Sequence, residues 1–209
     1  MKELQLGLPA KQIPLTQNPP PPPELDAEYE ACRARPTSDI SLHMPLLREL
    51  AAQCAHVTEF GVRGADGSTV ALLAGQPETM VSWDCAPAHI VNQRVHSLLG
   101  ARGRTLWYPR VGDSLSCFIE ETDLLFIDTY HSGKQLFAEL NRHGWQVRKW
   151  IVCHDTFTFG WRGEDGREPG LLYALREFQQ HVAFPIWQLK VKDEQQNGLV
   201  VLERVDVHP

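Results

Sequence analysis

Two apolar runs in this chain end in groups that can do chemistry. Leu124-Leu125-Phe126-Ile127 leads to Asp128 and then His131, and Trp150-Ile151-Val152-Cys153 leads to His154 and Asp155. A buried strand has no structural need for such side chains, and neighbouring parallel strands would bring all four to one edge of a sheet. There, these carboxylates and imidazoles together could hold a divalent cation. Alternatively the cluster could do acid–base work directly, with His131 as a reserve base. Two carboxylates that close would otherwise repel each other. Singly, each group is explained as well by helix capping. Four at one edge exceed what capping requires.

A second set lies upstream. Thr58-Glu59-Phe60-Gly61-Val62-Arg63-Gly64-Ala65-Asp66-Gly67-Ser68-Thr69 reads as a strand, a glycine-rich turn and a helix start. Glycine admits positive φ and close approach of a ligand to the backbone, and the helix start offers free N–H groups. The spacing is not G-x-G-x-x-G, and Glu59 precedes the first glycine. A carboxylate there repels a pyrophosphate and suits a ligand with a cationic end. Asp84 closes the next strand, where an acid is placed to accept hydrogen bonds from ribose hydroxyls. Gly112 and Asp113 follow the third strand, although an Asp-Ser helix cap explains them nearly as well. Trp107 and Tyr108 read as strand packing, and His56, His89, His96, His143 and His181 as surface or core histidines. The polar loop Trp161 to Arg167 could cover an acceptor as a lid or be a plain connection.

These groups need a scaffold, and its pattern is legible from Ser41 onward. A helical stripe (Leu42, Leu46, Leu47, Leu50, Ala51, Cys54) precedes strand-like runs at His56–Val62, Thr79–Cys85, Arg104–Pro109, Asp123–Thr129 and Lys149–Asp155. The segments between them, Ser68–Ala74, Ala88–Leu99, Asp113–Glu121 and Gly133–His143, are long enough for right-handed crossovers, which makes the strands parallel. A helix at Leu171–His181 then precedes two strands, Ile186–Lys192 and Leu199–Val205. An Asn197-Gly198 bend joins them, which makes this pair antiparallel. The expected fold is a Rossmann-like three-layer α/β sandwich, mostly parallel and closed by an antiparallel C-terminal hairpin.

Composition narrows the function classes. The chain has 209 residues and a net charge of -6, which suits one domain and disfavours a sequence-independent grip on nucleic acid. Its five cysteines show no CxxC spacing, as expected of reduced thiols in a cytoplasmic protein. No apolar run reaches the roughly 18–20 residues that span a bilayer. Prolines 19 to 23 interrupt any regular element, so residues 1–36 read as a Pro-rich arm or linker, contributing little to folding, and 37–209 as the domain.

From about Ser38 to Val205 the chain resembles the class I S-adenosylmethionine-dependent methyltransferases. Within them it resembles the methyltransferase family 24 group, near macrocin O-methyltransferase and the cephalosporin hydroxylase-like proteins. The resemblance rests on E-F-G-V-R-G-x-x-G-S-T at Glu59–Thr69, F-I-D-T-x-H at Phe126–His131, H-D-T at His154–Thr156 and N-G-L-x-V-L-E-R at Asn197–Arg204. It implies that Glu59, Gly61, Gly64, Ser68 and Asp84 hold S-adenosylmethionine, with Gly112 and Asp113 near its adenine and Asp128 bordering it. It also implies a magnesium or manganese site at Asp128, His154 and Asp155, although His154 stands where many relatives carry Asp or Glu, and imidazole suits manganese, iron or zinc better than magnesium. The expected activity is methyl transfer to a hydroxyl of a small molecule or glycan, with no membrane partner and room for a homo-oligomer. The alternative is a non-catalytic S-adenosylmethionine- or nucleotide-binding module of a larger assembly.

Overall fold

The computed structural model describes residues 18–166, 169–181 and 186–205. Residues 1–17 of the expected arm, and Arg167 at the end of the Trp161 loop, lie outside them. Seven strands form one sheet: β1 (His56–Phe60), β2 (Thr79–Asp84), β3 (Leu106–Val111), β4 (Thr122–Ile127), β5 (Val147–His154), β6 (Ile186–Asp193) and β7 (Leu199–Val205). Their order is β3-β2-β1-β4-β5-β7-β6. The first five are parallel, and β7 runs antiparallel between β5 and β6. Gly198, at φ +87°, makes the hairpin bend as the Asn-Gly pair predicts. The expected fold class holds.

Alternation along the central strands divides the core into two layers. Leu124, Phe126, Trp150, Val152, Leu199 and Val201 face one side of the sheet. There they meet helices α1 (Pro23–Arg33), α2 (Met44–Ala51), α3 (Ser68–Ala74) and α5 (Gln93–Ala101). Leu125, Ile127, Ile151, Cys153, Val200 and Leu202 face the other side, against α6 (Gly133–His143) and α7 (Leu171–His181). All five cysteines are free thiols, and only Cys85 is exposed. Among the described residues no helix is long and apolar enough to cross a membrane.

The structure departs from expectation in three places. The Asp113–Glu121 crossover contains no helix. Ser116 and Cys117 N–H groups both donate to Asp113 O, and Arg142 and His143 of α6 bind the carbonyls of Ser114, Ser116 and Cys117, so side chains from α6 do what a helix would have done internally. The Ala88–Leu99 crossover is broken into α4 (Pro87–Ile90) and α5, because the Asn92 side chain accepts from Val95 N–H and starts a new helix.

The third departure is at the arm. Its proline run does not exclude a helix but begins one, with Pro22 as N-cap and Pro23 at the first helical position, where a missing N–H is harmless. Leu25, Tyr29 and Cys32 then form a stripe at helical spacing that is buried in the same layer as α2 and α3. Arg48–Asp26 (3.0 Å) and Arg94–Glu28 ion pairs flank it. Within the expected arm, α1 therefore belongs to the core layer, which argues against the expectation that the segment contributes little to folding.

Candidate functional site

The glycine turn is built by the convergence of β1 and β4. Gly61 has φ +91°, and a Cβ there would lie 1.9 Å from Asp128 O, so only glycine lets the two strand ends come together. Beyond it Arg63 (φ +47°) and Ala65 (φ +53°) take left-handed backbone conformations although neither is glycine. Asp84, at the end of β2, stabilises this shape. Its Oδ2 accepts from the N–H groups of Val62 and Arg63, both at 3.0 Å, and its Oδ1 from Ala86 N–H at 2.8 Å. Burial raises the Asp84 carboxyl, but these N–H groups and the nearby His89 outweigh it and hold the group below the usual carboxylate range.

Glu59 has a different place from the one expected. It is fully buried beneath the turn, accepting from Ser68 Oγ (2.8 Å), Thr69 Oγ1 (2.9 Å) and Ser82 Oγ (2.7 Å). Burial, only partly offset by these hydroxyls, pushes its carboxyl up to about 7. Glu59 braces the turn from below, and the Ser68 hydroxyl points at it. Glu59 thus stands beneath the turn and not on its open side.

The second half of the site is the carboxylate–imidazole edge. Asp128 follows β4, and Asp155 follows β5 in a left-handed conformation (φ +59°) that swings its side chain toward Asp128. His131 stacks on Phe159 at 4.5 Å. Its Nε2 lies 2.7 Å from Asp155 Oδ2 and 3.3 Å from Asp128 Oδ1, and its Nδ1 3.1 Å from Glu164 Oε2. Burial opposes the charge on His131, but Asp128 and Asp155 raise its pKa to about 10. The Trp161 loop thus lies beside the site, held by Glu164, whose N–H also donates to His131 O.

His154 ends β5 on the side opposite Cys153, so its ring turns toward α2. Its Nε2 contacts Asp39 O at 3.2 Å, while Nδ1 stands 3.6 Å from Asp128 Oδ2 and 3.5 Å from Asp155 Oδ1. Burial disfavours its charge, yet the two carboxylates raise its pKa to about 10, as they do for His131. Among the described residues, the groups offering ligand atoms within 4.8 Å of one another are Asp128, His131 and Asp155. Asp128 and Asp155 of the expected ligand set thus stand together with His131 beside them, and His154 lies outside that group.

A single cavity of ≈ 730 Å³ joins the two halves. Gly61, Gly64, Ser68, Asp84, Gly112, Asp113, Asp128 and His131 all border it, whereas Glu59, His154 and Asp155 lie behind its wall. Three further lining residues, Asp39, Arg63 and His89, have no site role in the sequence, where Arg63 is one residue of the glycine turn and His89 reads as a surface or core histidine. His89 sits five positions after Asp84, its Nδ1 3.0 Å from Asp84 Oδ2, and a histidine so soon after a strand-end acid was a usable signal. Asp39 had none, lying at the edge of the proline-rich segment.

No protein-family model matches the chain, so the narrower resemblance to the family 24 group gains no support, and no curated protein matches it in sequence. Solved structures do resemble it. A Podospora anserina methyltransferase with S-adenosylhomocysteine bound is 17% identical, with a TM-score of 0.58 over 88% of this chain and 89% of that one. An O-methyltransferase from Bacillus cereus in complex with S-adenosylhomocysteine is 15% identical, with a TM-score of 0.59 over 87% and 90%. A methyltransferase from Geobacter sulfurreducens is 14% identical, with a TM-score of 0.56 over 88% and 89%. At these identities the likeness is one of fold.

Proposed function

We propose that the chain is an S-adenosylmethionine-dependent methyltransferase acting on a hydroxyl oxygen of a small molecule or glycan. One observation carries this reading: a single cavity runs from a glycine turn and a ribose-height acid to a carboxylate–imidazole cluster. Its ≈ 730 Å³ is in the range of pockets for cofactor-sized ligands. The neighbours that hold S-adenosylhomocysteine in the same fold support the donor.

In this reading the turn at Gly61–Gly64 backs the donor, and the His89 ring occupies the place on Asp84 that a ribose hydroxyl would take. Gly112 and Asp113 border the base. Asp128, the cluster's carboxylate in the cavity, orients the acceptor hydroxyl and receives its proton as the new C–O bond forms and the C–S bond breaks, leaving a neutral thioether. His131 and His154 steady the negative charge of Asp128 and Asp155 from two sides. Two carboxylates and an imidazole also fit a divalent cation of the manganese, iron or zinc kind better than magnesium, and would hold it through Asp128, His131 and Asp155. A bound cation would polarise the acceptor oxygen.

Calorimetric titration with S-adenosylhomocysteine, followed by labelled methyl transfer to a panel of hydroxylated small molecules and glycans with manganese, magnesium or chelator, tests the proposal. Micromolar donor binding and label in an acceptor are expected. Failure to bind S-adenosylhomocysteine would overturn it, and tight binding without turnover on any acceptor would favour the non-catalytic module.

A further inference from the structure

Sealing Glu59 beneath the turn leaves a question about charge. The amino-acid end of the donor is a zwitterion, and the acid expected to meet it is fully buried and bonded to three hydroxyls. Another pair of charges borders the cavity at that level. Arg63, in the glycine turn, reaches Asp39 in the segment between α1 and α2, with Nη2 3.3 Å from Oδ1. The Arg63 side chain is 68% exposed and that of Asp39 33%, so the pair contributes little to stability. Solvated partners exchange readily for a ligand of matching charge.

Both residues are nevertheless held from behind. The Arg63 N–H sits on Asp84, and its left-handed backbone aims the side chain across the cavity mouth. The carbonyl of Asp39 sits on His154, and Gln196 of the hairpin bonds Ser38 O and Ser41 Oγ on either side. The pair therefore spans the ribose-height acid on one side and the acceptor cluster on the other. A donor whose sulfonium faces Asp128 and whose ribose meets Asp84 has its amino-acid end left to place there.

We propose that the Arg63–Asp39 pair is the recognition element for the donor's amino-acid end, with Arg63 taking its carboxylate and Asp39 its ammonium group. A guanidinium and a carboxylate side by side match a zwitterion's two charges, and charge-assisted hydrogen bonds of this kind are the strong ones. The inference rests on the methyl-donor reading above. Arg35, the other guanidinium at the cavity, is paired with Asp66 of the glycine turn at 2.6 Å and with Glu28 of α1 at 3.7 Å, which engages it with two acids and makes it a control.

The test compares S-adenosylhomocysteine with 5′-methylthioadenosine, which keeps the nucleoside and thioether but lacks the amino-acid end. By calorimetry the wild type should prefer S-adenosylhomocysteine, and Arg63→Met and Asp39→Asn should each weaken its binding about tenfold or more while leaving methylthioadenosine within about twofold. Arg63→Lys should restore part of the loss, and Arg35→Met should not change the ratio of the two affinities. Equal losses on both ligands, or no loss on either, would overturn the inference while leaving the donor reading intact. A wild type that binds neither nucleoside would overturn the donor reading itself.

Discussion

The glycine turn and the carboxylate–imidazole edge hold their charges in opposite ways. In the turn, Glu59 is satisfied by neutral hydroxyls and Asp84 chiefly by backbone N–H groups. At the edge, Asp128, Asp155 and Glu164 face His131 and His154, charge against charge, and Asp155 Oδ1 and His154 Nδ1 are left without a hydrogen bond. Backbone donors are rigid and complete without a ligand, so the turn is a cradle whose shape precedes binding. Ion pairs among side chains can change partners, so the edge can admit a hydroxyl, a proton or a cation. Preformed binding and adaptable chemistry sit side by side, touching at Gly61.

If the division is real, substitutions should separate the two functions. Asp128→Asn should lower methyl transfer about 10²–10⁴-fold, the range for a positioned acid–base group, with S-adenosylhomocysteine affinity nearly unchanged by calorimetry. Parallel loss of donor binding would break the comparison. Asp84→Ala should act in the opposite sense, weakening donor binding by about 1.5–3 kcal/mol, since it removes a charged acceptor from the turn's N–H groups. Unchanged affinity in the folded variant would show that the turn keeps its shape without the acid.

The smallest effect concerns pH. Burial raises Glu59 from 4.5 to about 7, so the folded state binds its proton more tightly than the unfolded state does. Its stabilising contribution is then fully present below pH 4.5 and is lost as pH rises through about 7. Relative to Glu59→Gln, the wild type should lose on the order of 1–2 kcal/mol between pH 5 and pH 8, measured by denaturant unfolding. A pH-independent difference would place a charged Glu59 under the turn throughout.

The strands and their ends were legible because parallel strands covered on both faces are near-continuous apolar runs, and a polar residue closing such a run stands out. All six residues of β4 are buried, and Asp128 follows directly. The hairpin was legible from Asn197-Gly198. Which imidazole would join the carboxylates was not, because it turns on the side of β5 that His154 leaves and on a left-handed Asp155 that no pattern announces. The depth of Glu59 was equally hidden, since its hydroxyl partners come from two elements, Ser68 and Thr69 from the start of α3 and Ser82 from β2 once it pairs with β1. The Arg63–Asp39 pair joins residues 24 apart with no periodicity between them. Helix α1 was obscured by the prolines that start it.

That helix also sets an order of events during synthesis. Its apolar stripe is covered by α3 and α5. The start of α5 leaves the ribosome roughly 60 residues after α1, a delay of ~3–12 s at 5–20 residues per second. Until α3 follows, Leu25 and Tyr29 have no native cover, and until α5 follows the groove for this amphipathic helix is incomplete. Final closure of this layer therefore waits for sequence made later, and α1 cannot be fully covered until α5 has followed it.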